Sequence, residues 1–163
     1  MLVPAISKKQ ELEQLFAEHL YDDDMFLYNG YPHCNMIPEL TPKENIYRWA
    51  IIEKYGYPLE KVIGYFTYYI EPNSDNVCSF GLYSFDKGNP LIGIDVYRKM
   101  KELVKNHRRV EWRMIGGNPV KKHYDRFMRK MNGRKVLLKK VVKDGHGRYH
   151  NEYIYEIVKE VIE

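Results

Sequence analysis

Between residues 77 and 115 the spacing of the apolar residues changes period twice, and this restricts the fold more than any other feature of the chain. Residues 77–85 read as a strand interrupted at Gly81. Leu91, Ile94, Tyr97, Met100, Leu103 and Val104 then recur at helical spacing, which predicts a helix over 91–106. Val110, Trp112 and Met114 alternate with Arg109, Glu111 and Arg113, the pattern of a half-buried strand over 109–114. A strand, a helix and a strand in that order predict a right-handed crossover, hence a parallel pair. A ligand site is expected at the carboxyl ends of such a pair, where strand ends and a helix N-terminus meet.

The flanking segments set the rest of the architecture. Ser7 and Gln10 have the spacing of a capping box, and Leu12, Leu15, Phe16 and Leu20 follow at helical intervals, predicting a helix over about 7–21. The segment 26–42, rich in Tyr, Pro, Asn and Gly, reads as loop. Strands over 45–53 and 62–70 are separated by the turn cluster Tyr55-Gly56-Tyr57-Pro58 and, with 77–85, form an antiparallel meander. Gly116-Gly117-Asn118-Pro119 closes the 109–114 strand. Val120, Tyr124, Phe127, Met128 and Met131 predict a helix that begins just after Pro119. Strands over 135–142 and 148–158 flank Lys143-Asp144-Gly145-His146-Gly147, whose Asp-Gly pair signals a hairpin. The expected fold is α/β (α+β): a mixed, mostly antiparallel sheet of six to seven strands with helices on both faces, in one domain spanning 1–163.

Composition narrows the function classes. At 44% hydrophobic residues the chain can bury a full core. Its 15 tyrosines suit strands with one wet face or a groove lined with rings. Cys34 and Cys78 are too few for a disulfide framework or a structural zinc site, and Asp22-Asp23-Asp24 has no partner cluster, so no metal is expected. No segment has the ~20 apolar residues of a membrane helix, and the apolar start gives way to Ser7-Lys8-Lys9 too soon for a secretory signal, so the expected setting is cytoplasmic, with no membrane partner. Net charge is +4, but residues 1–100 carry −5 and residues 101–163 carry +9. The basic third implies an anionic partner, nucleic acid or a phosphorylated cofactor, unless it is only a solvated surface. Lys121, Lys122, Arg126, Arg129, Lys130, Arg134 and Lys135 are its densest part. No reading helix or aromatic platform motif accompanies them, so nucleic acid is the lesser candidate.

Two stretches carry a family resemblance. Ile63-Gly64-Tyr65, after Ile51-Ile52-Glu53, looks like the turn into the third strand of the GNAT acetyltransferase superfamily. Gly117-Asn118-Pro119-Val120-Lys121-Lys122-His123-Tyr124 is similar to that superfamily's Asn–helix–Tyr segment, and the order of elements over residues 7–158 is also similar. Two departures stand out. The family's glycine-rich pyrophosphate loop is replaced by Asp86-Lys87-Gly88-Asn89-Pro90-Leu91-Ile92-Gly93, with irregular glycine spacing and a proline that removes an N–H donor. Asn118 is also one residue closer to Tyr124 than in the usual pattern.

The resemblance implies an acyl-CoA-dependent N-acetyltransferase that uses acetyl-CoA as co-substrate. Backbone N–H groups near Tyr83, Ser84 and Phe85 would hold the acyl carbonyl and pantetheine. Lys87, Gly88, Asn89 and Gly93 would meet the pyrophosphate. Asn118 would bond the pantetheine arm, Lys122 a phosphate, and Tyr124 would be the general acid. Glu71, Glu111 and His123 are candidates for a general base, and the 26–42 loop is expected to border the amine acceptor. Two alternatives share some of these observations: a GNAT-fold binding module without catalysis, and a nucleic-acid-associated protein using the basic third. Neither the acceptor nor the oligomeric state is legible.

Overall fold

The computed structural model describes residues 1–22, 27, 37–56 and 59–159. Most of the 26–42 loop, with Cys34, lies outside the described residues, as do Asp23, Asp24, Tyr57 and Pro58.

Seven strands form one sheet: β1 (Leu2–Pro4), β2 (Ile46–Lys54), β3 (Glu60–Glu71), β4 (Asn76–Ser84), β5 (Arg109–Ile115), β6 (Arg134–Lys143) and β7 (Tyr149–Val158). Their order is β1-β2-β3-β4-β5-β7-β6, antiparallel at every neighbour except β4–β5, which is parallel. Among the described residues the α-helices seen in full are α1 (Lys9–His19), α2 (Pro90–Asn106) and α3 (Lys121–Lys130). The mixed sheet, the meander, the crossover and the terminal hairpin are those the apolar spacing predicts.

Three local readings differ. β1 is absent from the sequence reading, because three residues are too short to show a period. Ser7 does not cap α1. It lies in a 3-10 turn, Ala5–Lys8, and its hydroxyl donates to Pro4 O at 2.7 Å, so α1 starts later, at Lys9, without a side-chain cap. On α2 the buried stripe is Ile92, Val96, Met100 and Leu103, whereas Leu91, Ile94 and Tyr97 are exposed. The helix carries two apolar stripes, and the sheet takes the one with the more regular i, i+4 spacing.

Each face of the sheet has its own core. On one face Leu12 and Phe16 of α1 pack with Ala50, Ile52, Val62, Tyr65 and Tyr83. On the other, the buried stripe of α2 and Phe127 and Met128 of α3 pack with Phe66, Val77, Val110, Trp112 and Tyr155. Leu12 and Phe16 are at most 1% exposed, which contributes roughly 1.5–3 kcal/mol each. Gly64 of the Ile63-Gly64 pair has a steric reason: a Cβ there would lie 2.9 Å from Tyr83 O, so the glycine lets β3 and β4 close.

The β6–β7 hairpin is tied by Asp144, a buried carboxylate. It accepts hydrogen bonds from His150 Nε2 (2.9 Å), from the backbone N–H of His146 (2.9 Å) and Arg148 (2.8 Å), and from Arg148 Nε (2.8 Å). The bond from His150 first, and those from Arg148 and His146 after it, hold this carboxyl far below the usual carboxylate range. A carboxyl whose pKa is depressed by folding stabilises the fold above its unfolded value, near 4, and that stabilisation is lost as pH falls below it. Asp144→Asn is therefore expected to lower the melting midpoint at pH 7 by roughly 5 °C, with the gap to wild type narrowing toward pH 3. Thermal melts at the two pH values check it; an equal gap at both would show that ionisation of Asp144 contributes nothing.

Candidate active site

The site begins where β4 and β5 stop pairing. Their ladder consists of Asn76 with Arg109 and Val77 with Val110; beyond those pairs the strands diverge. The cause is visible in β4. Its register against β3 shifts between Thr67 and Tyr69, and Ser79 has φ +53, so a bulge inserts a residue there and bends the strand. The bulge also inverts the facing of the side chains. Val77 lies in the core beneath α2, and past the bulge it is the even-numbered Phe80, Leu82 and Ser84 that face that side, while Tyr83 faces α1.

The parted strands open a cavity of about 1000 Å³ between the sheet, α2 and α3. Its floor includes Phe66, Phe80, Leu82, Val96, Met100 and Trp112, and Lys87, Arg98, Lys101, Arg113, Lys122, Arg126 and Lys130 lie around it. Among the described residues no Asp or Glu lines it. Lys101 Nζ and Lys130 Nζ each stand 5.9 Å from the centroid of the Tyr97 ring, at the rim where α2 faces α3. Two buried polar atoms on the wall, Ser84 Oγ and Trp112 Nε1, have no hydrogen-bond partner. The β5-facing edge of β4 beyond Val77 has no ladder partner either, so it can take an extended amide-bearing ligand as a strand takes its neighbour.

The structure brings together Ser84, Lys87, Gly88, Asn89, Gly93, Asn118, Lys122 and Tyr124, all of which line the cavity. It does not bring Tyr83 or Phe85. Their rings lie on the other face against Phe16, at 5.7 and 5.0 Å, and near His19. The Phe85 N–H donates to Ile63 O at 3.0 Å, so it too is used within the sheet.

The N-terminus of α2 is partly self-capped. Asn89 is the N-cap, its Oδ1 accepts the Leu91 N–H at 3.0 Å, and its own N–H donates to Asp86 O at 3.1 Å. Pro90 has no N–H. The N–H of Ile92 remains in the first turn, where no intrahelical carbonyl reaches it. A Cβ added at Gly93 would meet nothing within 4 Å, so this turn is open on its outer side. Gly88 has φ +92, which a glycine adopts without strain. Asn89 Nδ2 donates to Glu53 and Asp86, each at 3.0 Å, and Lys87 stands 3.8 Å from Asp22.

Asn118 forms the turn into α3. Its Oδ1 accepts the Val120 N–H at 3.0 Å and its Nδ2 donates to Leu27 O at 3.3 Å. Tyr124 stands one turn further on, half-buried in an aromatic box. Its ring centroid is 5.4 Å from Trp112 and 5.8 Å from Tyr155, and Trp112 and Tyr155 are stacked at 5.3 Å. Burial pushes its hydroxyl up to about 12. Beside it, Tyr155 Oη donates to Asp125 at 3.0 Å; although burial pushes the Asp125 carboxyl up, bonds from Lys121, Lys135 and Tyr155 hold it down at about 2.

Of the candidate bases, His123 lines the cavity. Glu71 bonds Tyr69 and Asn73 at the closed end of β3–β4, and Glu111 pairs with Arg109 at 2.6 Å, so both lie away from the opening. The basic cluster divides as well. Lys122, Arg126 and Lys130, spaced by four residues, share the cavity face of α3, whereas Lys121 and Lys135 pair with Asp125 and Arg134 with Glu156. Arg98 and Lys101 of α2 and Trp112 and Arg113 of β5 complete the site without a signal in the sequence; only the way α2, α3 and β5 border one opening reveals them. Among the described residues no group of His, Cys, Asp and Glu is placed to hold a metal, and no helix is long and apolar enough to cross a membrane.

Among the described residues, a mixed seven-stranded sheet with one parallel pair that separates at its carboxyl end lies between one α-helix on one face and two on the other, an α/β architecture. The fold is that of the GNAT acetyltransferases. The chain is similar to an N-acetyltransferase from Staphylococcus aureus Mu50, with a TM-score of 0.65 at 13% identity over 97% of each chain. It is similar to a ribosomal-protein-alanine N-acetyltransferase from Brucella melitensis, with a TM-score of 0.63 at 14% identity over 98% of this chain and 99% of that one. A spermidine N-acetyltransferase from Vibrio cholerae, in complex with CoA and spermine, superposes with a TM-score of 0.55 at 14% identity over 91% of this chain and 74% of the other. No protein-family model matches the chain, and no curated protein matches it by sequence.

Proposed function

We propose that this chain is an acyl-CoA-dependent N-acetyltransferase acting on an amine. The observation that carries the reading is the cleft between β4 and β5: closed at Val77 and Val110, apolar at its floor, and ringed by basic side chains with no carboxylate among the described residues of the lining. That arrangement suits a molecule with a long neutral arm and a phosphorylated head. Acetyl-CoA has that shape, and when bound it supplies an activated acyl group.

The chain's own groups divide the work. Lys122, Arg126 and Lys130 of α3, with Arg98 and Lys101 of α2, hold phosphate charge at the rim. The N–H of Ile92 adds the N-terminal end of the α2 dipole, and Lys87, Gly88 and Gly93 flank it. The free edge of β4 and the Ser84 hydroxyl orient the amide-bearing arm. Asn118 holds the turn that delivers α3 to the cleft. The Tyr124 hydroxyl keeps its proton at neutral pH and gives it to the sulfur that leaves.

Calorimetric titration with acetyl-CoA tests this directly: saturable binding with a Kd of about 1–100 μM is expected, and silence at millimolar ligand would exclude the reading. One observation favours a second reading, binding without turnover. The Leu91 N–H and both ends of the Asn118 amide are already bonded within the chain, which reduces the donors left for the co-substrate. Binding without acetyl transfer to any of a panel of polyamines and peptide N-termini would select it.

A further inference from the structure

Resting on the reading of the cleft as an acyl-CoA site, we infer that Tyr97, Lys101 and Lys130 form a clamp for a phosphomonoester, the 3′-phosphate on the ribose of the co-substrate, apart from the place that takes its pyrophosphate. The arrangement of charge is the first argument. Lys101 Nζ of α2 and Lys130 Nζ of α3 each stand 5.9 Å from the centroid of the same ring, Tyr97. Two ammonium groups gathered at one ring repel each other, and among the described residues neither has a carboxylate partner. Their neighbours differ: on α2, Lys99 pairs with Glu102 at 2.8 Å and Arg98 with Asp95 at 3.6 Å, and on α3, Lys121 pairs with Asp125 at 2.7 Å. The Tyr97 ring keeps the pair together. Its electron-rich face attracts cations, and its edge-on contact with Phe127, 5.4 Å at 81°, fixes it at the rim, where it is 37% exposed. An anion of two charges would complete the group. A phosphomonoester carries about −1.5 to −2 at neutral pH, more than the single charge of a phosphodiester.

The spacing along the helices is the second argument. α2 and α3 both begin at the open end of the cleft, beyond the carboxyl ends of β4 and β5, which brings Lys122, in the first turn of α3, to the end where Ile92 opens α2. Tyr97 lies roughly 7–8 Å further along α2 than Ile92. Helical side chains lean toward the N-terminus, which carries Lys101 back over the Tyr97 ring rather than away from it. On α3, Lys122 and Lys130 are separated by about 12 Å of rise, so one phosphate does not engage both. The cations of the lining thus fall into two groups, one at the open end and one around Tyr97, with Arg126 between them. CoA divides its charge in the same way: a pyrophosphate and, one ribose away, a lone monoester.

Calorimetric titration with CoA and with dephospho-CoA, which lacks only this phosphate, tests the inference. Wild type is expected to bind CoA about 30-fold more tightly. With Lys101→Gln and Lys130→Gln combined, the ratio should fall to within about threefold, through a loss on CoA while dephospho-CoA keeps its affinity. Tyr97→Leu retains both ammonium groups but not the ring that gathers them, and should lower the ratio by about threefold. Equal binding of the two ligands by wild type would overturn the inference and leave the site reading standing. A ratio unchanged in the double lysine variant would also overturn it, since the 3′-phosphate would then be held elsewhere. No binding of either ligand would overturn both readings. All three side chains are exposed, so the variants should fold. Should Tyr97→Leu fail to do so, the double lysine variant decides alone.

Discussion

Tyr124→Phe is expected to lower acetyl-transfer turnover by about 10²- to 10³-fold while leaving the Kd for acetyl-CoA within about threefold. The substitution removes one oxygen from a ring whose packing against Trp112 and Tyr155 is otherwise unchanged, so the fold and the cleft wall persist. What is lost is a proton donor. Negative charge develops on the sulfur as it leaves, and a phenol already positioned in a half-buried pocket can donate to it without solvent reorganisation. Burial pushes the Tyr124 hydroxyl up to about 12, so the protonated form is fully populated across the working range. The alkaline limb of the rate profile should therefore show no loss from Tyr124 until pH passes about 11, well above an ordinary phenol near 10. The sign for stability follows: the unfolded phenol ionises first, so the fold is unaffected below pH 10 and is weakened as pH rises from 10 to 12. Steady-state kinetics with calorimetry checks the first claim. A variant of near wild-type turnover would reduce Tyr124 to a packing residue.

The fold was legible because the longer elements each have a distinct period, while the three-residue β1 has none. Val110, Trp112 and Met114 alternate, and the α2 and α3 residues recur every three to four positions, so the β-α-β order and the parallel pair follow from spacing and chirality alone. The site was less legible because it depends on one irregular residue. A bulge at Ser79, a non-glycine residue at positive φ, leaves no mark in the sequence, yet it inverts the facing of every later residue in β4. That inversion puts Ser84 in the cavity and sends Tyr83 and Phe85 to the α1 face. The spacing of Lys122, Arg126 and Lys130 was readable as one helix face, but their meeting with Arg98 and Lys101 was not, since it requires knowing that α2 and α3 border one opening. The Asn118 side chain was expected at a ligand and is found bonded to Val120 and Leu27, because short polar side chains favour local backbone partners.

The second large effect is electrostatic. Replacing Lys122 and Lys130 together by Glu is expected to weaken acetyl-CoA binding by about 10²- to 10³-fold and to flatten its salt dependence. Both side chains are exposed, so the double variant should fold with wild-type stability, to within about 0.5 kcal/mol per position. Their loss matters because of what is missing around them. With no Asp or Glu among the described residues of the cavity lining, each lysine acts on a phosphate with no competing partner there, whereas Lys121, on the same helix, and Lys135 both pair with Asp125. Charge reversal at Lys121 and Lys135 should accordingly change acetyl-CoA affinity by less than about threefold, although it carries the same change in net charge. The contrast separates a local phosphate site from a general effect of the protein's positive charge. Calorimetry at 50 and 500 mM salt reads both. If the two double variants weaken binding equally, the phosphates are held by the field of the whole basic third, and the rim formed by α2 and α3 has no special role.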